Sequence, residues 1–379
     1  MPTCDIFCNV IDNYGDIGVC WRLARILAHE HGLAVRLWVD DLPSFVILHP
    51  AGDAEAEVQQ CDGVEVRHWY GTLAGVQPAD IVIEAFACRL PDAYIQAMLP
   101  QPPVWINLEY LSAEDWVESH HGLPSPHPQL PLTKHYFFPG FTRQTGGLLL
   151  ERDLLARRDD FQPSAFWQKL QIDPPAEDTL VVSMFGYETP ALPSLLNLWA
   201  RGTQPVLCLV PDGRMTRQVQ AHFGLPGRHF FNGRLEVRII PFVPQAEYDE
   251  LLWACNINFV RGEDSCVRAQ WAGKPFVWQI YPQDDGAHWP KLQAFLDRYH
   301  ADTPELAAAT QPLWQAWNSG SGAALTAAWG DFVAAHGALT WHAERWAEYL
   351  SGHNLALNLL DFCQKTGKIR AFQNSGTAT

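Results

Sequence analysis

The chain is poor in several things at once. No apolar run approaches the roughly 20 residues that span a bilayer, and the opening Met1-Pro2-Thr3-Cys4-Asp5 carries no basic leader pattern, so a cytoplasmic protein is expected. Positive charge is scarce: 26 Lys and Arg stand against 42 Asp and Glu, a net charge of −16. That balance argues against general nucleic-acid or anionic-membrane binding, because either would bring phosphates to a repelling surface. It suits a partner that offers a positive patch. The nine cysteines are odd in number, lack CxxC spacing and mostly sit in apolar runs. They read as buried reduced thiols, not as a disulfide frame or a zinc site. The three-glycine dinucleotide fingerprint is also missing, which disfavours a nicotinamide-dependent oxidoreductase.

What is present is a globular composition of 379 residues, 47% hydrophobic and 18% charged, long enough for two domains. Sixteen tryptophans read mostly as core, with some available to line an aromatic sugar or base site.

The stretch Asn9 to Arg25 organises the first half. A buried strand, Cys4 to Ile11, runs into a helical pattern whose apolar face is Ile17, Cys20, Trp21, Ala24, Leu27 and Ala28. Asp12 and Asp16, with Gly15 and Gly18, occupy the turn, where open α/β sheets bind ligands. Asp16 alone reads equally as a helix cap. Two acids, two glycines and a tyrosine exceed what a cap needs, and two negative charges repel phosphate. The loop therefore reads as an acceptor or catalytic site.

Strand patterns follow at Ala34 to Val39, Val64 to Tyr70, Asp80 to Phe86 and Val104 to Leu108, alternating with helical or loop segments and predicting a parallel sheet. Glu109 reads as a surface acid, with an active-site role as the alternative. His120 to Pro139, rich in proline and histidine, reads as a long irregular segment. Its His120, His121, His127 and His135 lack metal-ligand spacing. Asp173-Pro174-Pro175 marks the domain boundary. The expected division is an N-terminal domain over 1–155 with a helix from about 341–379 packing back on it, a linker over 156–177, and a C-terminal domain over 178–340.

The second half repeats the pattern, with strands at Thr179 to Phe185, Pro205 to Val210, Val237 to Phe242, Asn258 to Val260 and Pro275 to Ile280. Arg261-Gly262-Glu263-Asp264-Ser265 lies where a strand hands over to a helix. Ser265 and the first helical N–H groups could hold a diphosphate, Arg261 could add a charge-assisted bond, and Glu263 could accept from sugar hydroxyls. The plain alternative is an N-cap cluster. Phe185-Gly186-Tyr187 and the loop holding Phe242, Gln245 and Tyr248 fall at the same sheet edge and favour a nucleotide-sugar pocket.

These residues resemble the EarP family, the protein-arginine rhamnosyltransferases of translation elongation factor P. The resemblance rests on Asp12 to Arg25, on Arg261 to Ser265 with Val267 to Phe276, on Phe185 to Glu188 and on Tyr281-Pro282-Gln283, and it spans nearly the whole chain. It implies a GT-B glycosyltransferase fold, with two Rossmann-like domains facing a central cleft. It also implies an inverting, metal-independent transfer of L-rhamnose from dTDP-β-L-rhamnose to one arginine of elongation factor P, supporting translation of polyproline stretches. No cofactor or metal is implied. By position, Asp12, Asp16 and Glu263 are the catalytic acids. Asn13, Tyr14, Gly15, Phe185, Tyr187, Phe242, Gln245, Tyr248, Arg261, Asp264 and Ser265 bind the donor. Tyr248 stands where other members carry phenylalanine, which keeps the stacking face.

The chemistry suits that implication. A guanidinium has a pKa of about 13.8 and delocalised lone pairs. Two fixed carboxylates could grip its fork, localise electron density on one nitrogen and take the proton as the C–N bond forms. Asp16 is the expected base with Asp12 orienting, and the two roles are interchangeable on sequence alone. Another sugar, another acceptor, or a catalytically silent partner of the factor are the competing readings.

Overall fold

The computed structural model describes residues 1–11, 14–71, 73 and 75–366. The chain forms two compact units: Met1–Arg152 with the stretch from Leu350 onward, and Asp153–Tyr349.

The first unit holds β1 (Thr3–Cys8), β2 (Ala34–Val39), β3 (Val58–Cys61), β4 (Val64–His68), β5 (Ile81–Ala85), β6 (Val104–Leu108), β7 (Pro124–Pro126) and β8 (Thr133–Phe137). They make one sheet in the order β3-β4-β2-β1-β5-β6-β8-β7. Its interior is parallel, with Phe7 opposite Trp38 on one side and Glu84 on the other, and its two edges are antiparallel hairpins. Strands buried on both faces explain the mostly apolar runs in β1 and β5, interrupted by Asp5 and Glu84. Asp5 is the polar exception in β1. Arg36 grips its carboxylate through Nε and Nη2, both at 2.6 Å, and Trp38 Nε1, the Ala79 N–H and the Tyr94 hydroxyl also donate to it. Burial, then the Asp5 charge, holds the Tyr94 phenol well above its ordinary pKa, so it keeps the proton it donates.

The segment His120 to Pro139, expected to be irregular, instead supplies the β7–β8 edge. Prolines are tolerated there because an edge strand has N–H positions with no ladder partner. Its histidines serve the backbone. His121 Nδ1 accepts from the Phe138 N–H at 3.1 Å, with burial lowering its pKa to about 4, and His127 Nδ1 accepts from the Gln129 and Leu130 N–H groups.

The second unit holds β9 (Leu180–Met184), β10 (Val206–Pro211), β11 (His229–Asn232), β12 (Leu235–Ile240), β13 (Ile257–Arg261) and β14 (Phe276–Gln279). The sheet order is β11-β12-β10-β9-β13-β14, parallel except at β11. Residues 156–177, read from the sequence as linker, carry most of helix Leu154–Asp159 and all of helix Pro163–Leu170, both within this unit. Arg158 Nη1 donates to the Trp271 carbonyl at 3.0 Å, and Lys169 pairs with Glu247 at 2.7 Å. The division thus falls at Arg152, ahead of Asp173-Pro174-Pro175.

The expected C-terminal helix is two helices, His336–Ser351 and Leu355–Lys365. Asn354 caps the second and donates to the Leu150 carbonyl at 2.6 Å, which joins that helix to the first unit. Gly147, at φ +81°, is required there, since a Cβ would stand 2.2 Å from the His353 carbonyl oxygen. Residues 341–349 group with the second unit. All nine cysteines are buried free thiols; burial pushes Cys363 up to about 12. Among the described residues, no helix is long and apolar enough to cross a membrane.

Two buried imidazoles make stability depend on pH. His300 and His342 stack at 5.1 Å and share Thr303 Oγ1. Burial lowers both, His300 to about 4. The unfolded chain takes up these protons first, near pH 6.5, so the stability they contribute is complete above that value and is lost as pH falls toward 4. Thermal melts of His300→Gln should show a lower melting temperature at neutral pH and a shallower decline on acidification than the parent.

Candidate functional site

The first cluster forms at the carboxyl end of β1. Helix Gly15–His31 buries Ile17, Cys20, Trp21, Ala24 and Leu27 at helical spacing and ends at Gly32, φ +66°, whose N–H bonds the Ala28 carbonyl. Tyr14 takes the N-cap position without a side-chain capping bond. Asp16 therefore does something other than cap. Only 2% exposed, it reaches back into the loop. Its Oδ2 accepts from the Ile11 N–H at 2.8 Å and its Oδ1 from the Tyr110 hydroxyl at 3.2 Å. The positive helix end favours its ionised form. From the other side, Asp40 holds the loop by accepting from the Val10 N–H at 2.8 Å and from Asn9. Tyr14 and Gly15 are half-buried in the same turn. Asp12 and Asn13 lie outside the described residues.

Sequence reasoning weighed Glu109 at this edge but passed over Tyr110, the next residue. Tyr110 follows Glu109, whose carboxylate accepts from Asn107 Nδ2. The signal available was position alone, just past a strand at the ligand-binding edge.

The second cluster forms at the carboxyl ends of β9, β12 and β13. Phe185 and Tyr187 follow β9, and the Arg261 guanidinium, ending β13, lies over both rings at 4.9 and 4.6 Å. Arg261 is 6% exposed, so the aromatic faces replace much of the water a cation would otherwise hold. Tyr248 meets Phe185 edge-on at 5.7 Å. The Tyr187 N–H donates to Gln279 Oε1 at 2.8 Å, and a Cβ at Gly186 would stand 2.8 Å from that same oxygen. Gln245 Nε2 donates to Asp264 Oδ2 at 3.0 Å.

Gly262, at φ +62°, turns the chain from β13 into helix Asp264–Trp271; its N–H bonds the Gln279 carbonyl and its own carbonyl accepts from Trp278 Nε1. Ser265 Oγ donates to the Arg261 carbonyl and accepts from the Arg261 N–H, which closes this turn. Its hydroxyl proton is thus engaged within the loop in this state. Glu263, half-buried, takes the N-cap position without a side-chain capping bond. Phe242 is half-buried just past β12. The structure brings Phe185, Tyr187, Gln245, Tyr248, Arg261, Asp264 and Ser265 into one connected set, with Glu263 and Phe242 on the loops that carry it. Among the described residues, no three His, Cys, Asp or Glu side chains group as a metal site would.

Beneath this set lies a pair invisible in the sequence. Arg268 Nε and Nη2 each donate to Asp249 at 2.7 Å, with both side chains buried. The pair ties helix Asp264–Trp271 to helix Tyr248–Ala254, the two helices that follow the site loops.

A family model described as elongation factor P (EF-P) rhamnosyltransferase EarP matches residues 4–364. The chain belongs to the EarP family. A protein-arginine rhamnosyltransferase of Pseudomonas putida is 55% identical over 328 residues, covering 83% of this chain and 86% of its own. One of Pseudomonas aeruginosa is 48% identical over 360 residues, covering 92% and 95%. A solved structure reported as the structural basis for EarP-mediated arginine glycosylation of translation elongation factor EF-P superposes with a TM-score of 0.68 at 36% identity, covering 97% of this chain and all of the other. Acinetobacter baumannii MurG matches at TM-score 0.51 and 13% identity, covering 96% and 99%. This last likeness bears on the fold alone: two units, each with a parallel-rich sheet, as in GT-B glycosyltransferases.

The buried fork sets a stability prediction for this EarP-family chain. Arg268→Ala leaves Asp249 charged and uncompensated, so denaturant titration should show a loss of about 3–5 kcal/mol. Replacing both partners, as Arg268→Met with Asp249→Leu, should recover most of that loss.

Proposed function

We propose that this chain transfers L-rhamnose from dTDP-β-L-rhamnose to one arginine of elongation factor P, with inversion at the anomeric carbon and without a metal or other cofactor. In this reading Asp12 and Asp16 handle the acceptor, and the Arg261–Ser265 turn with its aromatic neighbours holds the donor. The acceptor nitrogen attacks the anomeric carbon as the bond from that carbon to the diphosphate oxygen breaks. The departing dTDP keeps the electron pair, and the guanidinium proton passes to a carboxylate. The observation that carries the reading is Asp16, a buried carboxylate held through both oxygens in the first turn of the helix that follows a central strand.

A carboxylate alone is too weak to deprotonate a free guanidinium, given a pKa of about 13.8. Concerted loss of the proton as the new bond forms removes that obstacle, since the attacking nitrogen becomes far more acidic as its lone pair is drawn into the bond to the anomeric carbon. Asp16 takes the proton and Asp12 orients the fork, or the reverse. Arg261 and the first N–H groups of helix Asp264–Trp271 stabilise the departing diphosphate, the role helix N-termini and cations commonly take at phosphates. Phe185, Phe242 and Tyr248 supply stacking faces for the base, Gln245 and Asp264 its hydrogen bonds, and Tyr187 closes the aromatic wall around Arg261. Asn13, Tyr14 and Gly15 are donor-binding residues in the same reading. Glu263 positions the sugar or stabilises positive charge developing at its anomeric carbon. Modification of the factor in the cytoplasm would support translation of polyproline stretches.

Intact-mass measurement tests this. Elongation factor P incubated with the protein and dTDP-β-L-rhamnose should gain one deoxyhexose on an arginine, and Asp16→Asn should lower the rate by at least about a hundredfold. An unmodified factor, with active donor present, refutes the donor or the acceptor.

A further inference from the structure

We infer that Tyr110 is a positioning residue for the Asp16 carboxylate, an inference that rests on the reading of Asp16 as an acceptor-side acid. Asp16 receives a backbone N–H on Oδ2, from Ile11 at 2.8 Å, and the Tyr110 hydroxyl on Oδ1, at 3.2 Å. Carboxylate rotation about its last side-chain bond is soft. Donors to both oxygens fix the plane, and with it the direction of the lone pair left to take a proton.

What fixes the phenol is Phe86. The two rings stack at 4.3 Å and 16°. Phe86 and Ala87 both hold φ +56°, a left-handed conformation that non-glycine residues rarely adopt, here in succession. The Phe86 N–H bonds the Leu108 carbonyl at 2.7 Å and the Ala87 N–H bonds Asn107 Oδ1 at 3.1 Å, so the end of β6 holds this turn in place. Backbone strain of this kind persists where the surroundings over-determine it, and it gathers at working sites. The order of support runs from β6 to Phe86, from Phe86 to Tyr110, and from Tyr110 to Asp16. Tyr110 is 36% exposed, so its ring is held by this stack rather than by burial.

Other titratable groups share this end of the sheet: Cys8 on β1, Cys20 one turn along the same helix, Tyr14 at the helix start and Asp40 past β2. Burial keeps the Cys8 thiol protonated, with Cys20, Asp16 and Asp40 adding to that effect. Asp40 disfavours a second negative charge nearby, and a donated phenol favours it. Losing the hydroxyl should thus make Asp16 easier to protonate as well as less well aimed.

The test is Tyr110→Phe, which keeps the stack and removes the hydroxyl, beside Tyr110→Ala and Asp16→Asn, in the rhamnosyl-transfer assay across pH. The expected result for Tyr110→Phe is a kcat lower by about tenfold, a donor KM within about twofold, an unchanged melting temperature, and an acid limb of the kcat profile moved to higher pH. Tyr110→Ala should lose at least as much kcat. A Tyr110→Phe protein with parental kcat and acid limb overturns the inference while an inactive Asp16→Asn upholds the acid's role. A fall in kcat with an unmoved acid limb also overturns it, because Tyr110 would then act through something other than Asp16. An active Asp16→Asn removes the reading on which the inference rests.

Discussion

The fork between Arg268 and Asp249 is the constraint on which the second unit's site depends. Each residue sits on the helix that follows a site loop: Asp249 after Phe242, Gln245 and Tyr248, and Arg268 after Arg261, Glu263 and Ser265. Two parallel bonds between planar groups fix both the separation of the helices and their rotation. An apolar contact of equal area would fix the separation only, because it is non-directional. The Coulombic gain of such a pair is roughly matched by the cost of desolvating it. Its contribution is therefore better understood as geometric. Gln245 and Asp264, which bond each other at 3.0 Å, lie on the two loops that the fork holds in register.

The first unit shows the same economy of charge with a different outcome. Asp5 and Asp16 are both buried carboxylates close to β1. Asp5, in mid-strand, is 0% exposed and is saturated by the Arg36 fork, an indole, a backbone amide and a phenol. A carboxylate enclosed in that way has nothing left to do but hold the sheet together. Asp16 stands at the strand's carboxyl end, held by an amide and a phenol beside a half-exposed loop. The two acids thus differ in place: one lies within the sheet and the other in the first turn of the helix that follows β1.

That difference marks how far the sequence could be read. The central strands were legible, since burial on both faces writes mostly apolar runs, as in Val104 to Leu108. The turn ahead of helix Gly15–His31 was legible because glycines and acids punctuate the change from a strand pattern to a helical one. The last hairpin was not: the edge strand Pro124–Pro126 carries prolines because an edge accepts them, and the segment that holds it and Thr133–Phe137 read as loop. The unit boundary was hidden for a related reason. Helix His336–Ser351 is continuous while its residues divide between units at Tyr349, and local pattern does not say which core a helix residue joins. The fork and the Phe86–Tyr110 stack were hidden most deeply, since each joins residues that only the folded sheet brings together.

The second cluster shows why a cation and aromatics belong together at such a sheet edge. Arg261 is nearly buried, and burial of a guanidinium costs heavily unless something replaces its water. Phe185 and Tyr187 offer π faces, which attract a cation without neutralising it. Gly262 and Ser265 complete the arrangement by tying the Arg261 backbone into the start of a helix, where the dipole has the same sign.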